Sequence, residues 1–99
     1  MKFLIIQTVK QEVPMEKWAK LMPLQFKHFE KLQKEHLLEF DYHLIGQQGS
    51  MLVINVENDQ QLSQIIGQDP LFFYLQHEIY PLTTREAHEK QIRQIIKEA

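Results

Sequence analysis

Leu38-Glu39-Phe40-Asp41-Tyr42-His43-Leu44-Ile45-Gly46-Gln47-Gln48-Gly49-Ser50-Met51-Leu52-Val53-Ile54-Asn55-Val56 is the stretch that decides how this chain folds. From Leu38 to Gly46 the residues alternate, which is the period of an extended strand with two unlike faces. Leu38, Phe40, Tyr42 and Leu44 fall on one face, and Glu39, Asp41, His43 and Ile45 on the other. Gln47 to Ser50 reads as a hairpin turn into a β-branched strand from Met51 to Val56. An antiparallel pair therefore lies in the middle of the chain.

Upstream, Phe3 to Val9 is short, apolar and rich in β-branched residues, as a buried strand is. Between Pro14 and His36 the period changes: Trp18, Leu21, Met22, Phe26, Phe29 and Leu32 recur at helical steps, with Lys and Glu between them. Pro14 suits the first turn of that helix. Pro23 lies inside it and predicts a break or kink near Lys20 to Met22.

Downstream, Asn58 or Asp59 caps a short helix through Leu62, Ile65 and Ile66, stopped by Gly67 and Pro70. The run QDPLFFYLQHEIYPL, residues 68–82, places four aromatic rings between two prolines, and its second half, His77 to Leu82, reads as a fourth strand. Thr83-x-x-Glu86 has the form of a capping box opening a last helix, whose apolar stripe is Ala87, Ile92, Ile95 and Ile96.

Strand, helix, strand, strand, helix, strand is the split βαβ order of the ferredoxin-like α+β fold, in which an antiparallel sheet is covered by helices on one face. Residues 1–82 form its core, and residues 83–99 add a C-terminal helix. The uncovered face needs a partner. A second copy of the same sheet is the expected one, giving a dimeric α+β barrel across which the extra helix can reach.

Composition sets the outer bounds. The chain has 99 residues, 43% of them hydrophobic and 24% charged, with a net charge of −2. That is the make-up of an ordinary globular protein, small enough to lean on oligomerisation. Nothing in the charge balance favours nucleic acid or an anionic membrane. The absence of cysteine excludes disulfides, thiolate nucleophiles and zinc sites built on sulfur. MKFLIIQTVK has neither the long apolar region nor the cleavage site of a signal peptide, and no window is long enough to span a membrane, so the expected setting is cytoplasmic.

Pro70-Leu71-Phe72-x-Tyr74, Glu78-Ile79 and Leu82, with Thr8-Val9-Lys10, Leu32-Gln33-x-Glu35, Gly46 and Val56, resemble the muconolactone isomerase family over about residues 1–82. The resemblance implies a ferredoxin-like subunit that dimerises through its sheet or forms larger rings, and that works without metal or organic cofactor. It also implies the reaction, a double-bond shift in a small unsaturated lactone in which a proton leaves one carbon and returns to another. This chain departs from the family where charge matters. Gln25 and Phe26 stand where the family has an acidic residue and a lysine, and Glu39 and His43 stand where it has arginines flanking the second strand. Arginine is the apt partner of a substrate carboxylate, and Glu39 would repel one. The tail TTREAHEKQIRQIIKEA also replaces the family's His-Pro-Ser ending. A shared scaffold with a changed substrate, or with the reaction lost, is the implied picture.

Proton transfer beside a carbonyl needs a base, a donor for the developing enolate and shelter from water. His43, Asp41 and His28 are the candidate bases. With Glu39, Asp41 and His43 form either an acid–base cluster or an ordinary polar face. Tyr42 and Tyr74 are candidate hydroxyl donors, on the expectation that both reach a cavity between helix and sheet. Phe26, Phe72 and Phe73 would line its walls, or simply fill the core. His77-Glu78 and His88-Glu89 diverge as neighbours do, and no H-E-x-x-H occurs, so no metal site is expected. Two other readings share the scaffold: a non-catalytic small-ligand-binding dimer, and a cofactor-free monooxygenase in which Trp18 and His28 would matter.

Overall fold

The computed structural model describes residues 1–10 and 12–98. In chain order it contains β1 (Lys2–Val9), α1 (Met15–Lys34), β2 (Leu38–His43), β3 (Gly49–Asn55), α2 (Asp59–Gly67), a 3-10 turn at Phe72–Tyr74, β4 (Leu75–Leu82) and α3 (Arg85–Glu98). The strands form one sheet in the order β2-β3-β1-β4, with every neighbouring pair antiparallel. This is the ferredoxin-like α+β arrangement.

Phe3 and Ile5 of β1, Leu52 and Ile54 of β3 and Leu38 of β2 are buried against Leu32 of α1 and Leu62 and Ile65 of α2. The alternation within each strand explains the choice, since only one face of β1 and β3 meets the helices. At about 25 cal/mol per Å² of apolar area, this shared core is the main stabilising contribution.

α1 runs unbroken from Met15 to Lys34 with Pro23 inside it, so the expected break is not there. Pro23 is exposed, and the bond it cannot donate falls on the solvent side, where water can satisfy the orphaned carbonyl. Pro14 is the N-cap rather than a first-turn residue, and its carbonyl accepts from Trp18 N at 2.9 Å. At the other end His36 takes a left-handed φ of 59°. Its amide donates to Gln33 O at 3.1 Å and that of Leu37 to Leu32 O at 2.9 Å, a pairing that satisfies the last carbonyls of the helix.

Asn58 caps α2, its side chain accepting from Gln61 N at 2.8 Å. Thr84, not Thr83, caps α3, its hydroxyl accepting from Ala87 N at 3.1 Å. The β2–β3 turn comes earlier than expected, with Gly46 at a φ of 87° and Gly49 already in β3. β4 likewise begins at Leu75, two residues ahead of the sequence expectation.

The largest departure is in β2. Leu38 pairs with Ile54 but Phe40 with Val53, so the chain advances two residues on one strand for one on the other. This β-bulge at Glu39 inverts the alternation that follows. Asp41, opposite Leu52, and His43, opposite Ser50, therefore lie on the helix-covered face, while Phe40 and Tyr42 lie on the open one. The open face also carries Leu4, Ile6, Met51 and Val53, and Phe40, Tyr42 and Tyr80 are about half exposed there.

Every described residue of α3 is exposed, including Ile92, Ile95 and Ile96. The helix extends from the body, and the molecule measures 60 × 28 × 22 Å. No helix of the described residues is long and apolar enough to cross a membrane.

Candidate active site

A cavity of about 420 Å³ opens between α1 and the covered face of the sheet. Trp18, Met22, Phe26 and Phe29, spaced at helical steps, form its roof. Leu71 and Leu75 close the inner end, and both are buried. The aromatic-rich run thus contributes these two leucines to the wall, while its rings lie elsewhere.

The polar groups divide into a mouth and a floor. Asp41, His43 and Ser50 line the mouth, where the β2 edge leaves Asp41 and His43 accessible to solvent. Partial burial pushes the Asp41 carboxyl above the usual carboxylate range, and the His43 charge pulls it partly back. Gln7 and Gln25 line the floor, 4% and 6% exposed. Gln25 Nε2 donates to both oxygens of buried Asp69, at 3.2 and 3.1 Å. Asp69 Oδ1 also accepts from Leu71 N at 2.8 Å, so the Asp-Pro turn ties the middle of α1 to the connection between α2 and β4.

The remaining candidates stand apart from the cavity. His28 Nε2 lies 3.2 Å from Ile65 O, where its N–H donates to the carbonyl and ties α1 to α2. Tyr42 is on the open face, stacked with Phe40 at 6.4 Å between ring centroids, because the bulge turned it away from the helices. Tyr74 accepts a hydrogen bond from Lys17 Nζ at 3.2 Å, outside the walls. Phe72 packs edge-on to Phe73 and stacks on His77. Phe73 is 77% exposed and fills no core. Glu39 pairs with Lys2 at 3.2 Å. Phe26 does line the cavity, as does Trp18. Burial holds the His77 imidazole below its ordinary value, with the Asp69 charge opposing and Lys10 reinforcing the shift.

Of the polar floor, the sequence marks Gln25 as a departure from the family but gives no prominence to Gln7. Gln7 continues the buried alternation of Phe3 and Ile5, and Gln25 falls between Met22 and Phe29 on the apolar stripe of α1. A polar residue on such a stripe is the signal of a buried, partnered or cavity-facing group. Among the described residues no group of three or more His, Asp or Glu side chains converges as a metal would require.

Among solved structures, that of muconolactone isomerase superposes with a TM-score of 0.79 at 26% identity, covering 86% of this chain and 91% of that one. The 5-chloro-2-hydroxyhydroquinone dehydrochlorinase of Burkholderia phenoliruptrix, solved with 2,5-dihydroxybenzoquinone, superposes with a TM-score of 0.71 at 13% identity, over 88% of this chain and 98% of that one. At that identity the likeness is one of fold. No curated protein matches the sequence. The family described as muconolactone delta-isomerase, however, matches residues 1–88. Sequence and overall fold agree, and the chain belongs to the muconolactone delta-isomerase family.

Proposed function

We propose that this chain isomerises a small unsaturated lactone or a related ring by proton transfer within the cavity under α1, with Asp41 and His43 as the acid–base pair. The observation that carries the reading is the bulge in β2, which turns both side chains toward an otherwise largely apolar hollow. Carboxylate oxygen is a competent base once its pKa rises toward the working pH, and burial shifts Asp41 in that direction. Asp41 takes the proton from the ring carbon, and the charge spreads into the carbonyl oxygen. His43 and Ser50 offer N–H and O–H donors to that oxygen. The proton then returns to the carbon at the far end of the conjugated system, leaving the double bond moved and no atom gained or lost. Trp18, Met22 and Phe26 cover one side of the intermediate with apolar surface.

Phe40, Tyr42 and Val53 on the open face support a homodimer formed through the sheet, with larger rings as a further arrangement. Of the pair an oxygenase would need, Trp18 borders the cavity but His28 is engaged with Ile65 O. The isomerase reading is tested by turnover of unsaturated lactones followed by ultraviolet absorbance. Asp41→Asn lowers kcat by about a hundredfold or more, the usual worth of a general base. A parent protein that shifts no double bond in any lactone, yet quenches Trp18 fluorescence on adding one, has the non-catalytic binding role instead.

A further inference from the structure

The floor of the cavity specifies more about the ligand than its mouth does. Gln25 is 94% enclosed, and its Nε2 faces two carboxylate oxygens that can only accept. A flipped amide would set oxygen against oxygen, so the orientation is fixed. Gln25 Oε1 is then turned away from Asp69, finds no donor among the described residues, and belongs to a side chain bordering the cavity. No fully enclosed side-chain oxygen or nitrogen among the described residues lacks a partner, so Oε1 keeps access to that open space. Donating to a carboxylate also polarises the amide and strengthens its carbonyl as an acceptor. Gln7 is equally enclosed and borders the same space, and its side-chain amide makes no hydrogen bond to another described residue.

The charges point the same way. Among the described residues no lysine or arginine lines the cavity; Asp41 stands at its mouth and Asp69 lies directly behind Gln25. An anionic ligand would meet two carboxylates and, at most, one imidazolium. Desolvating it there is costly.

Resting on the isomerase reading above, we propose that Asp69 and Gln25 form a fixed acceptor that selects a neutral, hydroxyl-bearing ring over a carboxylate-bearing one. Gln25 Oε1 accepts from the ligand hydroxyl, and Gln7 supplies a second amide contact. Gln25 is thereby a specificity-determining residue, with Asp69 positioning it.

The test uses three butenolides that share a ring and carry a methyl, a hydroxymethyl or a carboxymethyl substituent, titrated into the full chain and read by the fluorescence of Trp18, the only tryptophan. Calorimetry serves as a second readout. At about pH 8, above the ordinary range of histidine, the hydroxymethyl compound binds about tenfold tighter than the methyl one, the worth of one hydrogen bond, and the carboxymethyl compound binds weakest. Gln25→Met abolishes the preference for the hydroxyl while the methyl compound still binds. The parent series stands without the variant if that substitution unfolds the chain. Equal binding of the methyl and hydroxymethyl compounds, or tightest binding of the carboxymethyl one, overturns the proposal; turnover of the carboxymethyl compound in the same experiment would leave the isomerase reading in place. No binding of any of the three overturns both.

Discussion

Asp41 of β2 stands directly opposite Leu52 of β3, so an ionisable carboxyl shares a sheet face with one of the most deeply buried leucines of the core. That placement is unfavourable to the charge, and Asp41 keeps its proton to a higher pH in the fold than in the unfolded chain. A group raised in this way contributes stability when protonated and loses it as pH rises through the folded value. Asp41→Asn is therefore expected to stabilise the fold at neutral pH, by less than about 1 kcal/mol after solvent screening, and so to raise Tm. The gain disappears below about pH 4, where both states of the parent carry the proton. Thermal melts across pH check this. On the proposed isomerase reading the same variant is expected to lose turnover, the pattern of a site held at some expense to stability.

Asp69 is a buried carboxylate that accepts hydrogen bonds from Gln25 Nε2 and Leu71 N. Asp69→Ala removes acceptors from Gln25 Nε2 and Leu71 N together and leaves both donors buried. The expected loss is about 2–4 kcal/mol in chemical denaturation. Asp69→Asn keeps one acceptor oxygen and is expected to lose roughly half as much.

His36 carries a side chain through a backbone conformation that glycine adopts without strain. The amide bonds at this helix end need only the backbone, so His36→Gly retains them. It is expected to stabilise the fold by about 0.5–1 kcal/mol, read as a shift in the urea midpoint at constant slope.

Gly49 is required for space. A Cβ there would lie 2.5 Å from Gln7 O and 3.0 Å from Thr8 Cγ2, and backbone cannot move aside as a side-chain tip can. Gly49→Ala is expected to cost about 1–3 kcal/mol and, because Gly49 borders the cavity, to weaken ligand binding beyond the stability loss. Denaturation and fluorescence titration of the variant separate the two effects.

Strand one, the helix after it, the central hairpin and the capped α2 are all legible in the sequence, because local period and turn chemistry agree with the final packing there. The bulge is not. Alternation read from Leu38 onward gives the faces of β2 correctly only until the register slips, and no local residue type announces the slip. Tyr42 was for that reason expected inside and lies outside, while Asp41 and His43 cover part of the cavity. The aromatic run misleads in another way. Phe73 and Tyr74 have the composition of a core, but the 3-10 turn splays them outward and leaves Leu71 and Leu75 to do the packing. Gln7 and Gln25 carry a usable signal, since each interrupts an apolar series at a position that the series itself marks as inward.

α3 extends from the body of the chain with every described residue in solvent. A helix of 14 residues is marginal in water when nothing packs on it. Its backbone amides therefore exchange far faster than those of β1 whenever the chain is alone, and slow down once a neighbour shields Ile92, Ile95 and Ile96. The tail works as a gauge of company: deuterium uptake over residues 85–98, followed against protein concentration, reports whether the chain is solitary or accompanied.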